Sequence, residues 1–169
     1  MRTLSGHSAA IEGLDFSVDG RTLLSEAGDV TARLWDAATG KPLQDLPERD
    51  GSIAAVALSP DGRWGVTTRG DFSWRLFDVA AGAEVLTLTG QKNYGSCARF
   101  APDSLSLWTG CNDGWIREWD LSSGREIRYI QMNTPRIQAL DLDARGRRMA
   151  VSTGSQVSLW NLELPPAAA

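Results

Sequence analysis

Residues 30–40 read VTARLWDAATG. Every second residue is apolar from Val30 to Leu34. Trp35-Asp36 follows, then a run of small residues that ends at Gly40. Alternation of this kind reads as a strand with one buried face, and the small-residue run reads as a turn. The stretch is also one copy of a repeating unit. Trp35-Asp36 returns as Phe77-Asp78, Trp119-Asp120 and Trp160-Asn161, in steps of 42, 42 and 41 residues. SVDG at 17–20 returns as SPDG at 59–62, APDS at 101–104 and DARG at 143–146. Gly40 returns at Gly82 and Gly124, and Leu4 at Leu46, Leu88 and Ile130. Several markers keeping one period decide the architecture before any single motif does.

Within one period the pattern is four short strands parted by turns. In the second copy, Ile53 to Leu58 is a continuous apolar run of strand length, as expected for a strand buried on both faces. Pro60-Asp61-Gly62 is a turn with a mechanism: Pro presets φ, Asp bonds nearby backbone, and Gly takes positive φ. Trp64 to Thr68, Ser73 to Phe77 and Glu84 to Leu88 follow as strands. No apolar stripe of helical period appears anywhere. The fold class read from this is all-β and repetitive.

These residues resemble the WD-repeat β-propeller family. The resemblance rests on Gly6-His7 opening a period, on the SPDG turn, on the Asp before the third strand, and on RLWD at 33–36 and REWD at 117–120. It covers about residues 2 to 162. It implies four four-stranded antiparallel blades, packed face to face around a channel. The repeats then run over about 5–46, 47–88, 89–130 and 131–162, with 163–169 as a Pro/Ala tail or the start of a linker. In that family a repeat begins with the outermost strand of the previous blade. Residues 2–4 are therefore expected to form the outer strand of the last or a neighbouring blade. Three closures stand open: a small closed ring, half of a dimeric eight-bladed ring, or a segment of a larger propeller.

His7, Ser25 and Asp29 have the residue types of a base, a nucleophile and an orienting acid. The resemblance implies a different role. It makes His7, Ser25, Asp29 and Trp35 a structural hydrogen-bond network that ties the strands of one blade together. The second copy keeps Thr67 and Asp71, but has Arg49 for His and Phe77 for Trp. The third keeps Thr109, Asp113 and Trp119, with Gln91 for His. The fourth has Gly154 in place of the turn Asp and is one residue short. The first blade is thus expected to be the most rigid and the fourth the loosest.

Composition narrows the function classes. The chain has 169 residues, 42% of them hydrophobic and 22% charged, with a net charge of −4. That balance gives no reason to expect nucleic acid or an anionic membrane as partner. Arg145, Arg147 and Arg148 read as a solvated turn. The opening residues have no unbroken apolar run of signal-peptide type, and the longest apolar run falls far short of a membrane span. The only cysteines, Cys97 and Cys111, read as reduced, mostly buried thiols. A cytoplasmic address is the default. One His and two separated thiols do not make a zinc site of usual spacing. No glycine-rich phosphate loop appears. No cofactor, metal or catalysis is expected.

The function that remains is a non-catalytic scaffold for protein–protein interaction. The alternative is a regulatory or sensor propeller domain of a larger enzyme or signalling protein. Loops at one end of the ring carry Arg49, Arg69, Asn93, Tyr94, Asn112, Trp115 and Arg136. Aromatics and Arg are enriched in binding hot spots, so these form the candidate partner surface. Trp74 and Trp108 read as packing between blades. The partners to expect are an unidentified protein and, for the eight-bladed closure, a second copy of the chain.

Overall fold

The computed structural model describes residues 1–47, 55–68, 70–134 and 136–163. Fifteen strands are present among these residues, with no helix. They form four antiparallel sheets, each a simple meander in chain order. Blade 1 holds β1 (Ile11–Phe16), β2 (Thr22–Ala27), β3 (Thr31–Asp36) and β4 (Pro42–Pro47). Blade 2 holds β5 (Val56–Leu58), β6 (Trp64–Thr68), β7 (Trp74–Asp78) and β8 (Ala83–Leu88). Blade 3 holds β9 (Gly95–Phe100), β10 (Ser106–Cys111), β11 (Trp115–Asp120) and β12 (Glu126–Gln131). Blade 4 holds β13 (Ala139–Leu142), β14 (Arg148–Thr153) and β15 (Gln156–Asn161). The all-β, four-blade propeller architecture is as the repeats require. One detail differs. Blade 4 has three strands among the described residues, because residues 2–4 do not pair with β15.

The turns explain why the repeat markers sit where they do. In SVDG, Asp19 Oδ1 accepts bonds from Ser17 Oγ at 2.7 Å and Arg21 N at 2.9 Å, and Gly20 takes φ of 67°. Ser59, Asp61 and Gly62 repeat that turn. The Asp of each Trp-Asp pair caps the next turn. Asp36 Oδ1 accepts from Thr39 N at 2.6 Å, and Asp120 Oδ1 from Ser123 N at 2.8 Å. The Thr39 bonds hold the Asp36 carboxyl below the usual carboxylate range, and the Ser122 and Ser123 hydroxyls with the Ser123 N–H do the same for Asp120. Local side-chain bonds of this kind end one strand and set the register of the next.

Packing alternates with the pleat. One face of blade 1, with Leu24, Ala32, Leu34 and Leu46, meets Val56, Leu58 and Phe77 of blade 2. The far face of blade 2, with Val66, Trp74, Leu76 and Leu88, meets Ala98, Phe100, Leu107 and Trp119 of blade 3. Blade 3 then packs Trp108 and Ile116 on Leu140, Met149 and Val151 of blade 4. Trp74 and Trp108 are buried blade packing, as read from the sequence. Residues of all four blades line one cleft: Glu12 and Glu26 of blade 1, Val56 of blade 2, Ser96 and Arg99 of blade 3 and Leu140 of blade 4 among them.

Candidate functional site

In the first blade the side chains of His7, Ser25, Asp29 and Trp35 lie together in one chain of polar contacts. The two carboxylate oxygens of Asp29 each lie 3.1 Å from His7 Nδ1. His7 Nε2 lies 2.7 Å from Ser25 Oγ. Trp35 Nε1 donates to the same Ser25 Oγ at 2.7 Å. Asp29 also accepts from Thr31 Oγ1 at 2.6 Å and from Ser8 N at 2.7 Å. Burial alone would raise the Asp29 carboxyl. The bonds from Thr31, Ser8 and His7 outweigh it, so the group stays ionised well below the usual carboxylate range. With Asp29 ionised, Nδ1–H donates to it. Nε2 is then free to accept the Ser25 hydroxyl, whose lone pair accepts the indole N–H.

The chain of bonds resembles a nucleophile with its base, but the surroundings are those of a brace. Ser25 is 3% exposed. Its oxygen is shared between Trp35 and His7, and its strand is covered by β1 and β3. A substrate carbonyl has no approach to it in this arrangement, and approach is what makes a triad.

The other blades hold fragments of the network. In blade 3, Trp119 Nε1 donates to Thr109 Oγ1 at 2.9 Å, and Asp113 pairs with Arg117 at 3.0 Å. Gln91, in the His position, has both amide atoms buried without partners. In blade 2, Asp71 Oδ1 accepts from Ser73 Oγ at 2.6 Å. In blade 4, Val151 stands where Ser25, Thr67 and Thr109 stand in the others. It offers no oxygen, and Trp160 Nε1 is buried unpartnered. The period displays this substitution in the sequence, since Val151 falls 42 residues after Thr109.

Of the loop residues expected to form a partner surface, three converge. Asn112 N donates to Tyr94 O at 2.9 Å, and Asn93 Nδ2 donates to Asn112 O at 3.5 Å. Asn93 Oδ1 accepts from Tyr94 N at 2.9 Å. Tyr94 is 41% exposed and meets the ring of Phe72 edge-on at 4.7 Å between centroids. Phe72 packs on this cluster, a contact that a turn residue beside Asp71 does not reveal in the sequence. Arg136 is exposed and precedes Ile137, whose N–H reaches Cys111 O at 3.4 Å. Trp115 is half-buried and lies against Tyr129 at 5.2 Å, with the Arg117 guanidinium 5.7 Å from its ring. It therefore braces the blade edge apart from the Tyr94 cluster. Arg49 and Arg69 lie outside the described residues.

No group of three or more metal-ligating side chains occurs among the described residues. Cys97 and Cys111 are free thiols, pushed up to about 11 and about 12 by burial, which keeps them unreactive. Asp143 caps the last SPDG-type turn through Arg147 N at 2.7 Å and Arg148 N at 3.0 Å.

Known proteins share these repeats. A family model described as "WD domain, G-beta repeat" matches residues 1–36 and 40–78. Notchless protein homolog of Arabidopsis thaliana is 48% identical over 42 residues, which is 25% of this chain and 9% of that protein. A WD repeat-containing protein of Synechocystis is 39% identical over 57 residues, 33% of this chain and 16% of that protein. Nuclear distribution protein PAC1 of Arthroderma benhamiae is 50% identical over 42 residues, 25% of this chain and 9% of that protein. The chain thus spans 9% to 16% of the length of these relatives.

Proposed function

We propose that the chain, whose first two repeats match the WD-repeat family model, serves as a non-catalytic scaffold for protein–protein interaction, with its partner seated on the loops around Tyr94. The carrying observation is the Phe72–Tyr94–Asn93–Asn112 cluster. It offers two aromatic rings and several amide groups on a rigid frame, the make-up of a binding hot spot. The sealed environment of Ser25 supports the non-catalytic part. The two free thiols support a cytoplasmic address.

A second reading makes the chain a regulatory or sensor domain of a larger protein. Its small share of the length of its relatives supports that. Both readings use the same loops. The test is comparative cross-linking in cell extract with wild type and Tyr94→Ala. A partner held by the loops is captured by wild type and lost by the variant, while the melting temperature stays within a degree or two. Equal capture by both overturns the Tyr94 surface. Labelling of Ser25 by a serine-reactive phosphonate probe overturns the non-catalytic role.

A further inference from the structure

The two ends of the blade series are uncovered. On blade 1, Leu14 and Phe16 are 61% and 56% exposed. Their counterparts one and two periods on, Val56, Leu58, Ala98 and Phe100, are buried against the preceding blade. On blade 4, Val157 and Leu159 are 72% and 81% exposed. Their counterparts Ala32, Leu34, Trp74 and Leu76 are buried against the following blade. Among the described residues, no blade covers these faces of blade 1 and blade 4. Their open faces are of opposite kind, so each has the surface the other needs.

Residues 2–4 sharpen this. Arg2, Gln44 and Leu86 are successive positions of the 42-residue period, as are Gly40, Gly82 and Gly124. Gln44 of blade 1 packs on Gly82 of blade 2, and Leu86 of blade 2 packs on Gly124 of blade 3. Arg2 packs on Gly40 of blade 1 in the same way, with Leu4 beside it. A Cβ added at any of these glycines would strike those side chains, and all three take positive φ. Arg2 also donates to Ala38 O, as Gln44 donates to Gly82 O at 3.0 Å. Residues 2–4 therefore occupy the place of the outer strand of a blade that would precede blade 1. They make no strand with β15 of their own chain.

A cross-blade bond repeats the message. Asp15 of blade 1 accepts the Leu58 N–H of blade 2 at 2.7 Å. Three periods on from Asp15 stands Asp141 of blade 4, with a side chain 74% exposed. One period before Leu58 stands Phe16. Within this chain the Phe16 N–H donates to Asp15 Oδ1 at 3.1 Å and Asp141 pairs with Arg99 at 3.3 Å, so a bond from Phe16 of a following blade 1 to Asp141 would exchange those partners.

We infer that a second copy of this chain covers both open faces: blade 4 of each copy packs on blade 1 of the other, and residues 2–4 of each add the fourth strand to the other's β15. A twofold axis relates the copies, and the result is a closed ring of eight blades. Closure removes the β15 edge as well as the two apolar faces. The strand register follows from the period. Arg33 pairs with Asp45, Arg75 with Thr87 and Arg117 with Tyr129. The corresponding pair is Ser158 with Thr3 of the second copy.

The test is solution mass by light scattering, together with a cross-link. For a chain of 18.3 kDa, the ring has twice that mass across a tenfold range of concentration. Leu159→Arg, which changes only an exposed side chain, halves the mass and leaves the strand signature in circular dichroism unchanged. Thr3→Cys combined with Ser158→Cys, mildly oxidised, yields a band of two chains on a non-reducing gel. A wild-type mass of one chain overturns the inference. So does a mass that climbs with concentration beyond two chains, which marks an open head-to-tail polymer. In the doubly substituted protein, a disulfide joining positions 3 and 158 of one and the same chain, read by mass spectrometry, overturns it in favour of a four-blade ring closed by its own residues 2–4.

Discussion

Trp35 donates its indole N–H to Ser25 Oγ at 2.7 Å, and Ser25 reaches His7 Nε2 at the same distance on its other side. The indole is what turns an apparent nucleophile into a strut. Ser25 commits its hydroxyl proton to His7 and a lone pair to Trp35, so β2, β3 and the loop before β1 are held by one oxygen. Removing His7 leaves the Asp29 carboxylate and the Ser25 hydroxyl short of a partner in a buried setting. His7→Ala is expected to cost about 1–3 kcal/mol. Thermal unfolding reads it as a fall of several degrees, and a melting temperature equal to wild type would count against the network.

The same bond is missing from blade 4, and it can be restored. Val151 occupies the Ser25 position with 1% exposure, and Trp160 Nε1 is buried unpartnered. Thr109 makes the required bond to Trp119 at 2.9 Å in blade 3. Val151→Thr places a hydroxyl there with no change of shape. It is expected to raise stability by about 1 kcal/mol, the net contribution of one such bond. The paired control is Trp160→Phe, in which the gain from Val151→Thr turns into a loss, because the new hydroxyl then has no donor to meet. A double-mutant cycle by denaturant unfolding checks both.

Backbone conformation supplies a third test. Val30, Phe72 and Gly114 are equivalent turn positions, with φ of 62°, 73° and 80°. Only the third is the residue that accepts this region at no steric cost. For a β-branched side chain it is strained. Val30→Gly is expected to stabilise the protein by about 1 kcal/mol. Gly114→Ala is expected to destabilise it by more, since a Cβ there would also strike Thr134 O. Urea midpoints of the two variants should move in opposite directions.

These sites show what the sequence could and could not disclose. The blade and its turns were legible because each marker has a local job: Asp19 and Asp36 cap their own turns, and Trp35 reaches an oxygen ten residues away. Repetition then multiplied weak local signals into one period. Contacts between blades were less legible. Phe72 looked like an ordinary turn residue until β9 brought Tyr94 onto it. Trp115 carried a hot-spot residue type, yet the register of β11 with β12 lays it on Tyr129. Residues 2–4 were expected to form the outer strand of the last or a neighbouring blade. They pack on Gly40 of blade 1 without pairing to a strand, and no local signal in the sequence names the strand they would pair with.

Glu26 gives the last test, in which the sign of a pH effect is fixed by burial. It is 1% exposed, its Oε2 has no hydrogen-bond partner, and it lines the cleft between the blades with Glu12. Burial first, and the charge of Glu12 second, push its carboxyl from 4.5 up to about 7. The folded protein thus keeps a proton that the unfolded chain releases at lower pH. Stability must fall as pH rises from 4.5 to about 7 and stay reduced above that. The full shift corresponds to roughly 3 kcal/mol by linkage, as an upper figure. Glu26→Gln keeps the shape and removes the titration. At about pH 8 the variant should unfold at higher urea than wild type, and at about pH 4.5 the two should nearly coincide. Parallel pH profiles for wild type and Glu26→Gln between those limits would refute the assignment, whatever their offset.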